Sequence, residues 1–159
     1  MIFHVSIAAD DPVRVGDAIA RLWRAEAMPF PPIGAGSVIV LAGDHRNSAI
    51  EIYPRGTELH PAEGDADAEG RTGAPVRHGS VHMAIATPLA ADEVFALAAD
   101  YGWLAKARRR GGMFGVIELW VENALMVEVL TAEMQAEYLE TMTPDGWRAS
   151  LAAGPPLAA

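Results

Sequence analysis

A chain of 159 residues, 51% of them hydrophobic, is long enough for one packed domain or two small fused halves and far from the composition of a disordered segment. Its 21 acidic residues against 12 basic ones give a net charge of −9, which disfavours binding that neutralises a phosphate backbone, so no nucleic-acid partner is expected. Cysteine is absent, which removes disulfides, thiolate metal sites and cysteine nucleophiles together and leaves His, Asp and Glu to hold any metal.

The run Ile2 to Ala8 suits a strand, and Asp10-Asp11-Pro12 supplies an N-cap and a proline at the first helical position. Val15, Ile19, Leu22 and Trp23 recur at helical spacing and predict a helix from Pro12 to Arg24. Residues 28–36, MPFPPIGAG, carry too much proline and glycine for a central strand and are expected to form an irregular edge piece. SVIVLAGDHRNSAIEIY follows as two apolar runs around the turn formers Gly43 to Asn47, the pattern of a hairpin with a longer loop. Between Pro54 and Gly79 the composition becomes polar and acidic and predicts a linker or exposed loop. Beyond it come a strand at 81–86, a helix around Ala91 to Tyr101, a basic segment, and a second hairpin, FGVIELWVENALMVEVL. No window approaches about 18 uninterrupted apolar residues, and MIFHVSIAADD lacks the basic start and long apolar run of a signal peptide. A soluble, cytoplasmic protein with no membrane partner is expected.

The order of elements repeats. A shift of 78 places His4 on His82, Ile7 on Ile85, Trp23 on Tyr101, Val38 on Val116 and Leu41 on Leu119. Within the hairpin loop the shift becomes 77, which places Ile50 on Val127, Glu51 on Glu128 and Ile52 on Val129. The repeat divides the chain into a first module at 1–53, the polar segment at 54–79, a second module at 80–131, and a C-terminal helix and tail at 132–159.

Each module then has a histidine near the start of its first strand and a glutamate in its last. Side chains alternate along a strand, so His4 and Ser6 share one face, as do His82, Ala84 and Ala86. Ala49, Glu51 and Tyr53 share a face of the first module's last strand, and Met126, Glu128 and Leu130 share one in the second. Singly, a strand histidine is more often a hydrogen-bonded core group and a glutamate a solvated one. As two equivalent pairs they suit a borderline divalent metal, Ni²⁺, Co²⁺, Zn²⁺, Fe²⁺ or Mn²⁺, in preference to Ca²⁺ or Mg²⁺.

FHVSIAA with AIEIY, and VHMAIAT with LMVEVL, resemble the two βαβββ modules of the vicinal oxygen chelate superfamily, in particular glyoxalase I and its bleomycin-resistance relatives. The resemblance implies an α+β fold of two tandem βαβββ modules, with cupped mixed sheets and helices on their outer face. It implies a metal held by His4, Glu51, His82 and Glu128, with Glu128 also the catalytic base. The implied activity is that of a lyase or isomerase moving a proton through a metal-chelated enediolate, on a small dicarbonyl–thiol adduct with a thiol such as glutathione as co-substrate. A homodimer is also implied. The hairpin VENALMVEV is shorter, and the segment between modules longer, than is usual in that family.

Other features add to this site. With Ile117, Leu119 and Val121 on the core face of their strand, Glu118 and Trp120 point the other way, Glu118 as a second acid or base and Trp120 as a wall for substrate. Arg108 and Arg110 belong to the one dense basic run, which suits the carboxylates of a thiol co-substrate or, as a plainer alternative, a charged edge strand. The competing functions are a non-catalytic, drug-sequestering binding protein and other enzymes of the superfamily such as an epimerase or dioxygenase.

Overall fold

The Asp11 carboxylate accepts the Arg14 backbone N–H at 3.0 Å and starts a helix with Pro12 in its first turn, as the sequence predicts. The computed structural model describes residues 2–64 and 67–153 and divides into two compact units, Met1–Ser80 and Val81–Ala159. Met1, residues 65–66 of the polar segment and residues 154–159 of the tail lie outside the described residues.

The first unit opens with β1 (His4–Ala9), α1 (Pro12–Trp23), β2 (Glu26–Pro29), β3 (Val38–Leu41) and β4 (Ala49–Pro54). These strands form one sheet in the order β1-β4-β3-β2, with β1 parallel to β4 and the other pairs antiparallel. The proline-rich stretch supplies only the end of the edge strand β2, where a missing N–H leaves the ladder intact. Val15, Ala18, Ile19 and Leu22 of α1 are buried, as are Val38, Val40, Ile50 and Ile52 of the sheet it packs against. The approach is close at Gly16, where a Cβ would lie 2.7 Å from Val38 Cγ1.

The polar segment, whose composition predicts a linker or exposed loop, carries regular structure. It forms a two-stranded ribbon, β5 (Thr57–His60) with β6 (Glu69–Thr72). Three of its four cross-strand pairs are polar, among them Thr57 opposite Thr72 and Glu58 opposite Arg71, a source of pairing that needs no buried face. At Gly70 the ribbon lies so near the main chain that a Cβ would meet the Ile33 carbonyl oxygen.

The second unit repeats the first with β7 (Met83–Ala86), α2 (Ala91–Tyr101), β8 (Leu104–Arg110), β9 (Phe114–Val121) and β10 (Leu125–Leu130). The sheet order β7-β10-β9-β8 and its single parallel pair match the first sheet strand for strand. Val94, Leu97, Ala98 and Tyr101 of α2 are buried, as are Ile117, Leu119, Val127 and Val129. The expected C-terminal helix is two, α3 (Ala132–Thr141) and α4 (Pro144–Ala152). α3 lies against β9 and β10, where Met134 and Tyr138 pack on Phe114, Val116 and Leu130.

Glu137 of α3 accepts the Gly115 N–H at 2.7 Å and the Arg109 guanidinium at 3.1 Å, and these two donors hold its carboxyl below the ordinary glutamate value. A depressed folded-state value makes this contribution complete above the unfolded pKa and lost as pH falls through the folded one. The stability gap between the wild type and Glu137→Gln is therefore expected to be open at neutral pH and to close below about pH 4.5. Thermal unfolding followed across pH 3–7 checks this, and a gap independent of pH would refute it.

Candidate functional site

In the first unit, parallel pairing of β1 with β4 sets Ser6 opposite Glu51 and Ala8 opposite Tyr53. Ser6 Oγ donates to Glu51 Oε2 at 2.9 Å, and the Tyr53 hydroxyl donates a short hydrogen bond to the same oxygen. Both donors are neutral, so they fix the carboxylate without cancelling its charge. Burial, with the neighbouring Glu51 carboxylate, raises the Tyr53 pKa and keeps it a donor. The other oxygen, Oε1, faces His4 Nε2 at 3.9 Å. His4 is 59% exposed at its side chain and Glu51 only 13%, so an exposed imidazole stands over a carboxylate that two hydroxyls hold.

The second unit treats its glutamate differently. Glu128 pairs with Ala84 across the parallel ladder, and the repeat places Ala84 and Leu130 where the first unit has Ser6 and Tyr53. Neither can donate a side-chain hydrogen bond. Arg110, the last residue of β8, supplies them: Nε is 2.8 Å from Glu128 Oε1, and the guanidinium's NH2 group reaches the same oxygen. NH2 also lies 2.9 Å from Glu118 Oε1, and Arg108 Nε lies 3.9 Å from Glu118 Oε2. Glu118 and Glu128 are directly opposite in the β9–β10 ladder, a like-charge pairing that is unfavourable unless a cation lies between them. Burial alone would lower the Arg110 pKa, but the hydrogen bonds to Glu128 and Glu118 outweigh it and raise it.

His82 lies one residue ahead of β7, short of the strand that the sequence suggests, and is exposed together with Ala84 and Ala86. The structure thus joins His4 to Glu51 in one unit, and Glu128, Glu118, Arg110 and Arg108 in the other. Among the described residues no three His, Asp or Glu side chains form a metal-binding group. Ile117, Leu119 and Val121 are buried and Glu118 and Trp120 half-buried, the alternation read from the sequence. The two arginines assigned to substrate are engaged by glutamates of their own unit.

The imidazole and carboxylate donors are of the types that divalent transition metals take, and among the described residues the structure brings two of the four, His4 and Glu51, near each other. Atoms bound at about 2.1 Å to one ion lie roughly 3.0–3.4 Å apart at octahedral or tetrahedral angles. The 3.9 Å between His4 Nε2 and Glu51 Oε1 is wider than that range. At Glu128 the guanidinium itself shows that the carboxylate accepts a positive partner.

Ser6 and Tyr53 carry no role in the sequence reading. Face parity puts Ser6 with His4 and Tyr53 with Glu51, and parallel pairing of the first and last strands then brings the two faces together.

No protein-family model matches the chain, and no curated protein matches its sequence. Solved structures match its fold. The fosfomycin resistance protein FosX from Listeria monocytogenes is 16% identical, with 88% of this chain and 96% of that one covered and a TM-score of 0.56. The same protein complexed with Mn(II) and sulfate gives 12% identity, 88% and 96% coverage and 0.55. Lactoylglutathione lyase from Agrobacterium tumefaciens is 15% identical, with 84% and 94% covered and a TM-score of 0.55. At such identities the likeness is one of architecture, and the architecture that this chain has is the paired βαβββ fold of the vicinal oxygen chelate proteins.

Proposed function

We propose that the protein is a divalent-metal-dependent lyase or isomerase of the glyoxalase I type, acting on a small dicarbonyl–thiol adduct. The observation that carries this reading is Glu51, with one oxygen held by Ser6 and Tyr53 and the other turned to the His4 imidazole. Hydrogen-bonding a carboxylate from behind and leaving its other oxygen toward an imidazole is how proteins orient metal ligands. His4, Glu51, His82 and Glu128 would hold the ion, and their mixed nitrogen and oxygen donors suit Ni²⁺, Co²⁺, Zn²⁺, Fe²⁺ or Mn²⁺. A neighbour of this fold complexed with Mn(II), and another named as a lactoylglutathione lyase, support the choice.

When bound, the cation supplies Lewis-acid polarisation of two adjacent substrate oxygens and so acidifies the C–H beside them. Glu128 receives the proton, and Glu118, its cross-strand partner, is the second acid or base. Trp120, half-buried on the same strand, gives the substrate an apolar wall. Arg108 and Arg110 would bind carboxylates of a thiol co-substrate such as glutathione. The same reading makes the protein a cytoplasmic homodimer. None of the helices among the described residues is long and apolar enough to cross a membrane.

The test is titration of the metal-free protein with Ni²⁺, Co²⁺, Zn²⁺ and Mn²⁺, followed by a hemithioacetal isomerisation assay with each. Saturable binding with metal-dependent turnover is expected, and absence of affinity for all four ions sinks the proposal. One observation favours the alternative of a non-catalytic, drug-sequestering protein: Glu128 already has a cation, Arg110, as its partner. Small-molecule binding indifferent to chelators, with no turnover under any metal, would decide for it.

A further inference from the structure

We propose that the first unit binds a small organic cation, a primary ammonium with a short apolar body, its head on Glu51 and its body along Ile39 and Met28. The inference goes beyond the metal-dependent reading and uses residues of one unit only.

The strand registers set the place. Ser6, Glu51, Ile39 and Met28 are successive partners across β1, β4, β3 and β2, and so form one row on one face of the sheet. Neighbouring strands lie about 4.8 Å apart, which puts Met28 roughly 10 Å from Glu51. Within that span the face passes from a carboxylate to two half-buried apolar side chains. Two residues along, Phe30 stacks on Tyr53 with ring centroids 6.4 Å apart, which adds aromatic surface beside the apolar end. The corresponding row of the second unit is Ala84, Glu128, Glu118 and Lys106. Charged side chains there occupy the places of Ile39 and Met28, so the apolar stretch belongs to the first unit and not to the repeat.

Glu51 selects the charge of the ligand. Ser6 and Tyr53 hold Oε2 as neutral donors and compensate none of its charge, and among the described residues its one ionic neighbour is His4. A primary ammonium carries three donors and no acceptor. It meets two acceptors here, Glu51 Oε1 and, in the neutral imidazole, His4 Nε2, which lie 3.9 Å apart. Two hydrogen bonds of about 2.9 Å from one nitrogen span roughly 4–5 Å, close to that separation. One carboxylate is enough for such a ligand, whereas a metal ion needs several donors gathered around it. The apolar wall then supplies affinity in proportion to the length of the body.

Isothermal titration of the full-length protein in chelator with n-propyl-, n-butyl- and n-hexylammonium tests this. Affinity is expected to rise about threefold per added methylene. Hexanol and hexanoate, which match the body but not the charge, should bind about tenfold or more weakly than hexylammonium, and Glu51→Gln should weaken hexylammonium by a similar factor. Ile39→Ser should flatten the dependence on chain length; if circular dichroism shows it poorly folded, Met28→Ser on the edge strand reads the same slope. Absence of hexylammonium binding overturns the inference, as does hexanol bound equally well or a Glu51→Gln variant that binds like the wild type. Because the chelator removes divalent ions, those results leave the metal-dependent reading standing. Failure of Ni²⁺, Co²⁺, Zn²⁺ and Mn²⁺ to bind overturns that reading and leaves this one. Where both hold, Mn²⁺ should displace hexylammonium, since the two share Glu51 Oε1.

Discussion

Replacing Glu51 with glutamine is expected to lower divalent-metal affinity by more than the roughly 10–100-fold that loss of a ligand's hydrogen-bond partner costs. The substitution keeps the side chain's shape and an oxygen for Ser6 and Tyr53 to donate to, but removes the charge that those neutral donors leave intact. Tyr53→Phe should have a smaller effect, about tenfold, because it frees the carboxylate to rotate without discharging it. The ordering is the informative part. If Glu51 were a structural acceptor for the two hydroxyls, the glutamine would serve nearly as well, and both variants would bind metal like the wild type. Isothermal titration of each metal-free variant with Ni²⁺ and Mn²⁺, with circular dichroism as a check on folding, measures this directly.

Leu119→Ala is expected to destabilise the second unit by about 2–5 kcal/mol, the range for a cavity left by a fully buried leucine. Leu119 is wholly inaccessible at the centre of β9, between Val127 of β10 and Ala105 of β8. Both neighbours are backbone-paired and cannot collapse into the space without breaking the ladder. Leu139→Ala provides the contrast, since that side chain is 75% exposed on α3 and its loss should cost less than about 0.5 kcal/mol. Urea unfolding followed by circular dichroism distinguishes the two, and equal midpoints would contradict the packing described for β9.

Much of the architecture was legible because two independent signals agreed. The 78-residue shift aligned His4 with His82, and strand alternation placed the bulky residues on one face, where Ile50, Ile52, Ile117 and Leu119 are indeed buried. The β5–β6 ribbon was invisible for a physical reason: almost none of its residues is shielded, so no apolar period marks it, and polar cross-strand pairs shape it instead. His82 sits just outside its strand, a boundary that composition does not set. At the site, the His4–Glu51 pair followed from parity. The Arg110 bridge did not, because it depends on the registers of three strands at once, which bring the end of β8 over a glutamate 18 residues away. The basic run read locally as a patch for substrate or an edge charge, and its pairing with carboxylates of the same sheet is visible only in the structure.

Asp10 has a consequence for how this protein can be altered. Its carboxylate binds Arg55 Nε at 2.6 Å and Arg77 at 2.8 Å, and Arg55 in turn reaches the Val76 carbonyl at 3.1 Å. The stretch carrying β5 and β6 therefore departs from and returns to one anchored point, and its length is decoupled from the strand that precedes it. Since each doubling of a flexible loop costs only about 0.6 kcal/mol, new sequence can enter near its tip at little expense to the sheet. For an engineer that makes the ribbon a port for an epitope, a fluorophore or a tether.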